Sequence, residues 1–449
     1  MNKILIANRG EIARRIIRTC NRLGIETVAI HSEADGDLPY VSEATEAVLI
    51  GPNPVVQSYL QVDKIIEAAK AHGAEAIHPG YGLLSENAEF ARKVKRAGLI
   101  FIGPSADIME KMGDKIESRR TMIQAGVPVV PGTEQGAASL EAALAEAEAI
   151  GYPVMLKASA GGGGIGMVRC DDEQALSQQF ASVKNRAKAY FGDDVVFLEK
   201  FVPNARHIEV QIFGDQHGNI VHLFERNCSV QRRNQKVIEE SPSPHLPQEA
   251  RVRLCEAALK AGQAVGYTNA GTVEFIVDEN NDFYFLEMNT RLQVEHPVTE
   301  QVTGFDLVEW QINVAKGEKL PPQDSIQSTG HAIEYRIYAE DPKTFFPSPG
   351  TLQAIEWGEG ARIESGYEQG NSITPFYDPM ISKVIITGSD RAEALRKSQN
   401  FFNHATIVGV KTNISLFKEF IESQEFASGE YATSVLPTWL EKTKEEQGL

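Results

Sequence analysis

The spacing of apolar positions changes several times along this chain, and each change marks a different kind of element. From residue 1 to about 103, the apolar runs KILIA, ETVAIH, EAIHP and LIFIG alternate with stretches of helical spacing at 11–22, about 62–72 and 86–96. In the first of these stretches Ile12, Ile16, Cys20 and Leu23 fall on one face, and Ser85 is placed to N-cap the third. Strands and helices in alternation predict a doubly wound parallel sheet, which receives ligands at the carboxyl ends of its strands. The polar stretches Asn8-Arg9-Gly10-Glu11 and HPGYG at 78–82 sit at such ends, where they could wall a site, although HPGYG also reads as a tight turn with glycines at positive φ. The first turn lacks G-x-G-x-x-G, which argues against a nicotinamide or flavin site there.

A helical segment carrying Lys115 lies between Pro104 and Gly132, and Gly126, Pro128 and Pro131 punctuate the chain like a hinge, with a boundary near 113. YPVMLKASAGGGGIGMVRC at 152–170 reads as strand, glycine loop, strand, and Asp171 and Asp172 can cap the helix that follows to about 190. Gly161 to Gly164 free the backbone to fold over a polyphosphate, with Lys157 as a point charge; the alternative is an ordinary surface loop. VVFLEKFV at 195–202 is a strand whose edge could hold a purine, or a plain core strand ending in a charge pair. HIEVQIFGD and IVHLFERN form a hairpin around Gln216-His217-Gly218-Asn219. CSVQRRNQKVIEESPSP then concentrates Arg232, Arg233 and Lys236, either as an anion-attracting patch or as a solvated turn balanced by Glu239 and Glu240.

The densest chemistry lies at 271–299, GTVEFIVDENNDFYFLEMNTRLQVEHPVT. TVEFIVD and DFYFLEM, separated by Glu279, Asn280 and Asn281, predict an antiparallel hairpin. Pairing Asp278 with Phe283 sets Glu274 opposite Glu287, and alternation puts Asn289 on the face of Glu287. Facing carboxylates repel, so this pair either holds a cation or points into solvent. Two carboxylates and an amide oxygen are hard donors suited to Mg²⁺ or Mn²⁺. A helical stretch then runs to about Gly317, a proline-bearing polar linker to Gly330, and 331–449 reads as a smaller α+β unit. On its first strand, Arg336 stands among alternating apolar residues and calls for a carboxylate or an anionic ligand.

Composition narrows the function classes. A length of 449 residues exceeds what one core supports, which points to several domains. The net charge of −17 argues against general nucleic-acid binding, because counterion release needs clustered lysine and arginine. No apolar run approaches the ~18 residues of a membrane span. A charge arrives too early in MNKILIANRGE for a signal peptide, so a cytoplasmic protein is expected. Cys20, Cys170, Cys228 and Cys255 have neither metal nor disulfide spacing and are expected to be reduced, with Cys228 set apart by its polar neighbours.

The ordered set ANRGEIA, HPGYG, KASAGGGGIGM, EKF, HIEVQ, CSVQRRNQK, GTVEFI, FLEMNTRLQVEHPVTE and FPSPG resembles the biotin carboxylase component of biotin-dependent carboxylases such as acetyl-CoA carboxylase, a branch of the ATP-grasp superfamily. The resemblance spans nearly the whole chain, and EMNTRLQVEHPVTE is its most specific part. It implies an α/β and α+β multidomain fold: a Rossmann-like pre-ATP-grasp domain at 1–113, an ATP-grasp domain at 114–317 with a mobile lid at about 131–203, and a C-terminal biotin carboxylase domain at 331–449. Carried over position by position, it implies ATP binding by Lys115, Lys157, Gly162, Gly163, Gly164, Glu199, Lys200, Val202, His207, Gln231, Asn234, Glu274 and Glu287. Glu274, Glu287 and Asn289 would hold Mg²⁺ or Mn²⁺, and Lys236, Arg291, Gln293 and Val294 would bind bicarbonate. Glu295 would be the general base, and Arg336 would stabilise the biotin enolate.

The implied reaction carboxylates biotin on a separate biotin carboxyl carrier protein, from ATP and bicarbonate through carboxyphosphate, yielding ADP and phosphate. No lysine lies between two methionines as in a biotinyl carrier; Met109-Glu110-Lys111-Met112 only approaches that pattern. A free-standing, homodimeric subunit working with carboxyltransferase subunits is therefore expected, in fatty acid biosynthesis or a route set by another acyl acceptor. Three positions depart from the family pattern: Ile165 stands for a basic residue, Asn234 for a histidine, and Tyr335 beside the key arginine is also atypical. Two other readings compete. A ligase of purine or carbamoyl-phosphate type would share the glycine loop and paired glutamates but not R-L-Q-V-E-H, and a silent nucleotide-binding regulatory subunit is favoured only by Ile165.

Overall fold

The structure, a computed structural model, describes residues 1–160 and 166–446. β1 (Lys3–Ile6), β2 (Glu26–Ser32), β3 (Glu46–Gly51), β4 (Ala76–His78) and β5 (Ile100–Phe101) form one parallel sheet in the order β3-β2-β1-β4-β5. The expected architecture is present with one strand more. EAVLIG forms β3 at the sheet edge, where residues alternate between partly buried and exposed, so it carries little apolar signal of its own. The helix Ala88–Arg96 is capped by Asn87, which accepts from Phe90 N at 2.8 Å, and not by Ser85, whose buried hydroxyl has no hydrogen-bond partner among the described residues. Positive φ at Gly80, Gly82 and Leu83 keeps the chain out of helical geometry through this turn and delays the helix start.

The segment around Lys115 is two helices, Ala106–Gly113 and Lys115–Gln124. Asp114 separates them and caps the second by accepting from Ile116 N and Glu117 N, which puts Lys115 in its first turn. β6 (Val154–Ala158), β7 (Met167–Cys170) and β8 (Val196–Lys200) form an antiparallel sheet backed by the helix Glu173–Phe191, which Asp172 caps. Gly162, Gly163, Gly164 and Ile165 lie outside the described residues.

The remaining strands are β9 (Arg206–Gly214), β10 (Ile220–Arg232), β11 (Gln235–Ser241), β12 (Asn269–Val277), β13 (Phe283–Asn289), β14 (His331–Tyr338), β15 (Gly350–Thr351), β16 (Ala354–Glu356), β17 (Ala361–Ser365), β18 (Ser372–Ile373), β19 (Met380–Gly388) and β20 (Thr406–Val408). Eight of them join in the order β13-β12-β9-β10-β11-β14-β19-β17, while β15 pairs with β18 and β16 with β20. The smaller C-terminal unit read from sequence therefore has no main sheet of its own: β14 adds to the open edge of β11 and continues the central sheet. One apolar core follows this continuity, from Ile4 and Ile16 through Val230, Ile238 and Tyr335 to Phe402 and Phe417. The helical stretch after the hairpin divides into His296–Thr303 and Leu307–Ala315 because Gly304, at φ +78°, ends the first in a left-handed cap. No helix among the described residues is long and apolar enough to cross a membrane.

Glu240 fastens this joint. It is fully buried on β11 and meets His331 Nε2 at 2.5 Å, Arg391 Nε at 2.8 Å and the Tyr431 hydroxyl. Burial favours its protonated form, but His331 and Arg391 outweigh burial and bring the carboxyl down to about 2 from 4.5. A depressed folded-state pKa contributes stability above the unfolded value that is lost as pH falls toward the folded one. Glu240→Gln is expected to cost about 3 kcal/mol in urea unfolding at neutral pH and to flatten the decline in stability between about pH 5 and 2. An unchanged acid slope in the variant would contradict this role.

Candidate active site

Strand register brings acidic residues into a row. Glu209 on β9 pairs with Glu274 on β12, Glu274 pairs with Glu287 on β13, and Arg226 on β10 pairs with Glu209. The register expected for the hairpin is met at Glu274 and Glu287 but not at its tip, where Val277, and not Asp278, pairs with Phe283. Leu286 is the extra residue of a β-bulge that makes up the difference. Asp278 shapes the loop instead, accepting from Asn280 N and Asp282 N, each at 2.9 Å.

A row of like charges needs compensation. Lys236 Nζ lies 2.6 Å from Glu209, 2.8 Å from Glu274 and 2.7 Å from Glu295. Burial opposes a charged lysine, but the three carboxylates prevail and raise its pKa well above the ordinary value. Burial likewise favours protonation of Glu274, yet Lys236 and His207 hold its carboxyl well below the usual range. Lys236, Arg336 and Arg226 do the same for Glu295. Glu287 meets Lys115 Nζ at 2.6 Å. His207 Nε2 lies 3.1 Å from Glu274, and the Gln231 amide donates to its Nδ1 at 2.9 Å and to the Cys228 carbonyl at 2.8 Å.

The basic run at 231–236 is consequently neither a single patch nor a solvated turn. Arg233 and Asn234, at φ +50° and +64°, make a tight turn between β10 and β11 that sends their neighbours apart. Arg232 pairs with Glu340 and lies over the Phe345 ring at 4.4 Å, Arg233 is exposed, and Lys236 turns into the acidic row. Glu239 and Glu240 are both fully buried.

Arg226 ties the row to the loop after the hairpin. It is fully buried and donates to Glu209 at 2.6 Å, Gln211 at 2.8 Å, Thr299 at 2.9 Å, Gln293 at 3.0 Å and Thr272 at 3.2 Å. Gln293 in turn donates to Glu274 at 2.9 Å. Asn289 donates to Glu274 at 2.8 Å and accepts from Arg291 at 3.0 Å, and Arg291 Nε donates to Glu86 at 2.9 Å. Arg336 reaches Glu295 at 3.0 Å. Val294 offers its carbonyl to Lys383 Nζ at 2.8 Å; that ammonium also pairs with Glu11, which accepts from Tyr81. Glu11 and Tyr81 thus support the loop from behind, and no residue of Asn8-Arg9-Gly10-Glu11 or HPGYG is among the described residues that line the cavity.

Lys157 and Arg119 both pair with Glu199, and Lys200 donates to the carbonyls of Gly151 and Tyr152. The described residues to which the family resemblance gives ATP, metal, bicarbonate or catalytic roles all line one cavity of about 730 Å³: Lys115, Lys157, Glu199, Lys200, Val202, His207, Gln231, Asn234, Lys236, Glu274, Glu287, Asn289, Arg291, Gln293, Val294, Glu295 and Arg336. Met109, Met155, Met167 and Phe197 add apolar surface suited to a flat ring. Glu274, Glu287 and Asn289 present hard oxygen donors, and the lysines already opposite the two carboxylates show a site built to face positive charge, so the set fits a divalent cation. The four cysteines are free and buried, and burial pushes the Cys228 thiol well up, which makes it inert.

Sequence reasoning missed Glu209, Arg226, Glu86 and Arg119. The first was detectable, because His207, Glu209 and Gln211 alternate onto one face of β9. Arg226 within an apolar strand was a weaker signal of the same kind. Glu86 and Arg119 meet their partners only across the fold.

Comparisons with known proteins agree with this geometry. Residues 1–109 match the family model "Biotin carboxylase, N-terminal domain", 114–323 match "Carbamoyl-phosphate synthase L chain, ATP binding domain" and 334–438 match "Biotin carboxylase C-terminal domain". The chain is 56% identical to biotin carboxylase 2 of Bacillus subtilis over 97% of this chain and 98% of the relative. It is 49% identical to a pyruvate carboxylase subunit of Methanothermobacter thermautotrophicus, over 96% and 89% of the two chains. The solved biotin carboxylase domain dimer of Hydrogenobacter thermophilus 2-oxoglutarate carboxylase, in complex with MgADP, ADP and bicarbonate, superposes with a TM-score of 0.94 at 46% identity, covering 97% of each chain.

Arg226→Met is expected to destabilise the protein by about 3 kcal/mol in denaturant unfolding, because it strips a partner from a buried carboxylate. Adding Glu209→Gln should recover part of that loss. Strictly additive effects of the two substitutions would contradict the pairing.

Proposed function

The chain belongs to the biotin carboxylase family, and on that premise we propose the roles that its cavity residues take in the ATP-dependent carboxylation of biotin with bicarbonate. The observation that carries the assignment is the sharing of one ammonium: Lys236 lies 2.8 Å from Glu274 and 2.7 Å from Glu295, joining the phosphoryl end of the cavity to the carboxylate of the RLQVEH loop.

Lys115, Lys157, His207 and the backbone of Gly162, Gly163 and Gly164 take the phosphates and ribose, with Gln231 and Asn234 beside them. Glu199, Lys200 and Val202 take the adenine. Mg²⁺ or Mn²⁺ held by Glu274, Glu287 and Asn289 supplies positive charge that offsets the transferring phosphoryl group. Bicarbonate is a weak nucleophile, and Lys236, Arg291, Gln293 and Val294 hold it within reach of the γ-phosphorus. Glu295 removes its proton. Lys236 and Arg336 keep Glu295 ionised, and when bicarbonate engages those cations its proton affinity rises, so it becomes a competent base with substrate in place. The carboxyphosphate formed releases CO₂, the phosphate takes the ureido proton of biotin, and Arg336 stabilises the enolate oxygen.

We assign residues 1–113 to a pre-ATP-grasp domain, 114–317 to an ATP-grasp domain with a lid at about 131–203, and 331–449 to a biotin carboxylase domain. A carbamoyl-phosphate ligase accounts only for the middle family match, whereas the flanking matches favour biotin as acceptor. The chain acts as a cytoplasmic homodimer on a biotin carboxyl carrier protein, and the partner carboxyltransferase sets the final acceptor, in keeping with relatives named for pyruvate and 2-oxoglutarate.

Purified protein supplied with ATP, Mg²⁺, bicarbonate and free biotin is expected to release ADP only when both bicarbonate and biotin are present; release indifferent to biotin would overturn the reading. Glu287→Gln should lower kcat at least about tenfold. Arg336→Ala should abolish most biotin carboxylation while changing nucleotide affinity less than about threefold by fluorescent-analogue titration. Full carboxylation by Arg336→Ala would remove the enolate assignment.

A further inference from the structure

Behind Arg336 lies a pair of carboxylates to which the proposed reaction gives no role. Glu239 on β11 and Glu334 on β14 face each other in antiparallel register, and both are fully buried. None of their four oxygens has a hydrogen-bond partner among the described residues. Arg336 Nη2 is 2.5 Å from Glu239 Oε1, out of hydrogen-bond alignment, and 3.0 Å from Glu295 Oε2. Glu239 and Glu295 thus flank one guanidinium nitrogen, which sets them within the span of a single bridging water.

The ionisable groups facing the pair are Arg336 and Tyr338 on β14, Lys383 on β19, Lys236 on β11, Cys228 on β10 and Glu295 at the head of the helix His296–Thr303. Most of this positive charge is already taken: Lys383 pairs with Glu11, and Lys236 with three glutamates. Arg391, on the helix packed against β14, pairs with Glu240. Two facing, fully buried carboxylates with Arg336, among the described residues, as the one cation paired to either do not both ionise. Burial raises Glu334 well above the usual range and, against the pull of Arg336, raises Glu239 to about 7.

The reaction leaves one proton to be placed. The ureido proton departs on phosphate, but the bicarbonate proton stays on Glu295, which is only 2% exposed and is shut off from solvent while substrates fill the cavity. We propose that Glu239 and Glu334 are the proton acceptor behind the base: the pair begins a turnover with one shared proton, takes a second from Glu295 through a bridging water, and returns it to solvent after the products leave. One O–H bond breaks at Glu295 as one forms at Glu239, and Glu295 is restored as an anion beside Lys236 and Arg336. Both are positioning residues for the proton and touch no substrate. The inference rests on Glu295 being the base.

The test is kcat for biotin-dependent ADP release at saturating ATP and bicarbonate, measured from about pH 6 to 9. Glu239 must be ionised to accept, so the wild-type rate is expected to fall below about pH 7. Glu334 carries the shared proton that stabilises the Glu239 anion. Glu334→Leu, which cannot supply it, should raise the Glu239 pKa and move this acid limb up by about one pH unit with KM for ATP unchanged, whereas Glu334→Gln, still a donor, should leave the limb in place. Glu239→Gln should lower kcat about tenfold and flatten the limb. An unshifted limb in Glu334→Leu overturns the proposal, even where Glu239→Gln fails to fold, and so does a wild-type profile in a folded Glu239→Gln. Glu295→Gln separates the two failures. If it turns over normally, the base assignment falls and the pair with it; if it is inactive while Glu334→Leu and Glu239→Gln keep the wild-type profile, the pair alone falls.

Discussion

The ammonium of Lys236, held among Glu209, Glu274 and Glu295, is the contact on which the rest of the site depends. Without it three buried carboxylates would face one another uncompensated, and the row across β9 and β12 would repel itself. With it, β11, β12 and the RLQVEH loop are drawn to one point. The same positive charge keeps Glu295 ionised until a substrate anion competes for it, so the interaction that stabilises the resting cavity also sets when the base becomes active.

Glu239 and Glu240 show how one strand serves two ends. Adjacent on β11, they point to opposite faces of the sheet. Glu240 is saturated by His331, Arg391 and Tyr431 and is driven to low pKa, which welds the C-terminal strands to the central sheet. Glu239 faces Glu334 and shares a single arginine with Glu295, and burial drives its pKa the other way. Identical side chains take a structural and a protonic character from their surroundings alone.

Local pattern carried the reading wherever the physics is local. Alternation along 271–289 placed Glu274 beside Glu287 even though the bulge at Leu286 shifts the tip register, because the acidic pair lies beyond the bulge. Asp172 was legible as a cap because its helix starts immediately after it. Ser85 was not the cap, since positive φ at Gly80, Gly82 and Leu83 postpones the next helix and no apolar period reports a backbone angle. The basic run at 231–236 read as a patch or a solvated turn because sequence shows charge density but not the turn at Arg233 and Asn234 that disperses it.

The amino-acid sequence by itself determined the alternation that builds the parallel sheet, the hairpin with its facing glutamates, and the RLQVEH motif that marks the family, because each follows from residues within a few positions of one another. Only the tertiary structure decided that Glu209 and Arg226 extend the acidic row, that Glu86 holds Arg291 and Arg119 holds Glu199, and that Glu239 is buried opposite Glu334. The physical reason is that register between distant strands, and the burial that shifts a carboxyl, belong to pairs of elements and not to any one segment.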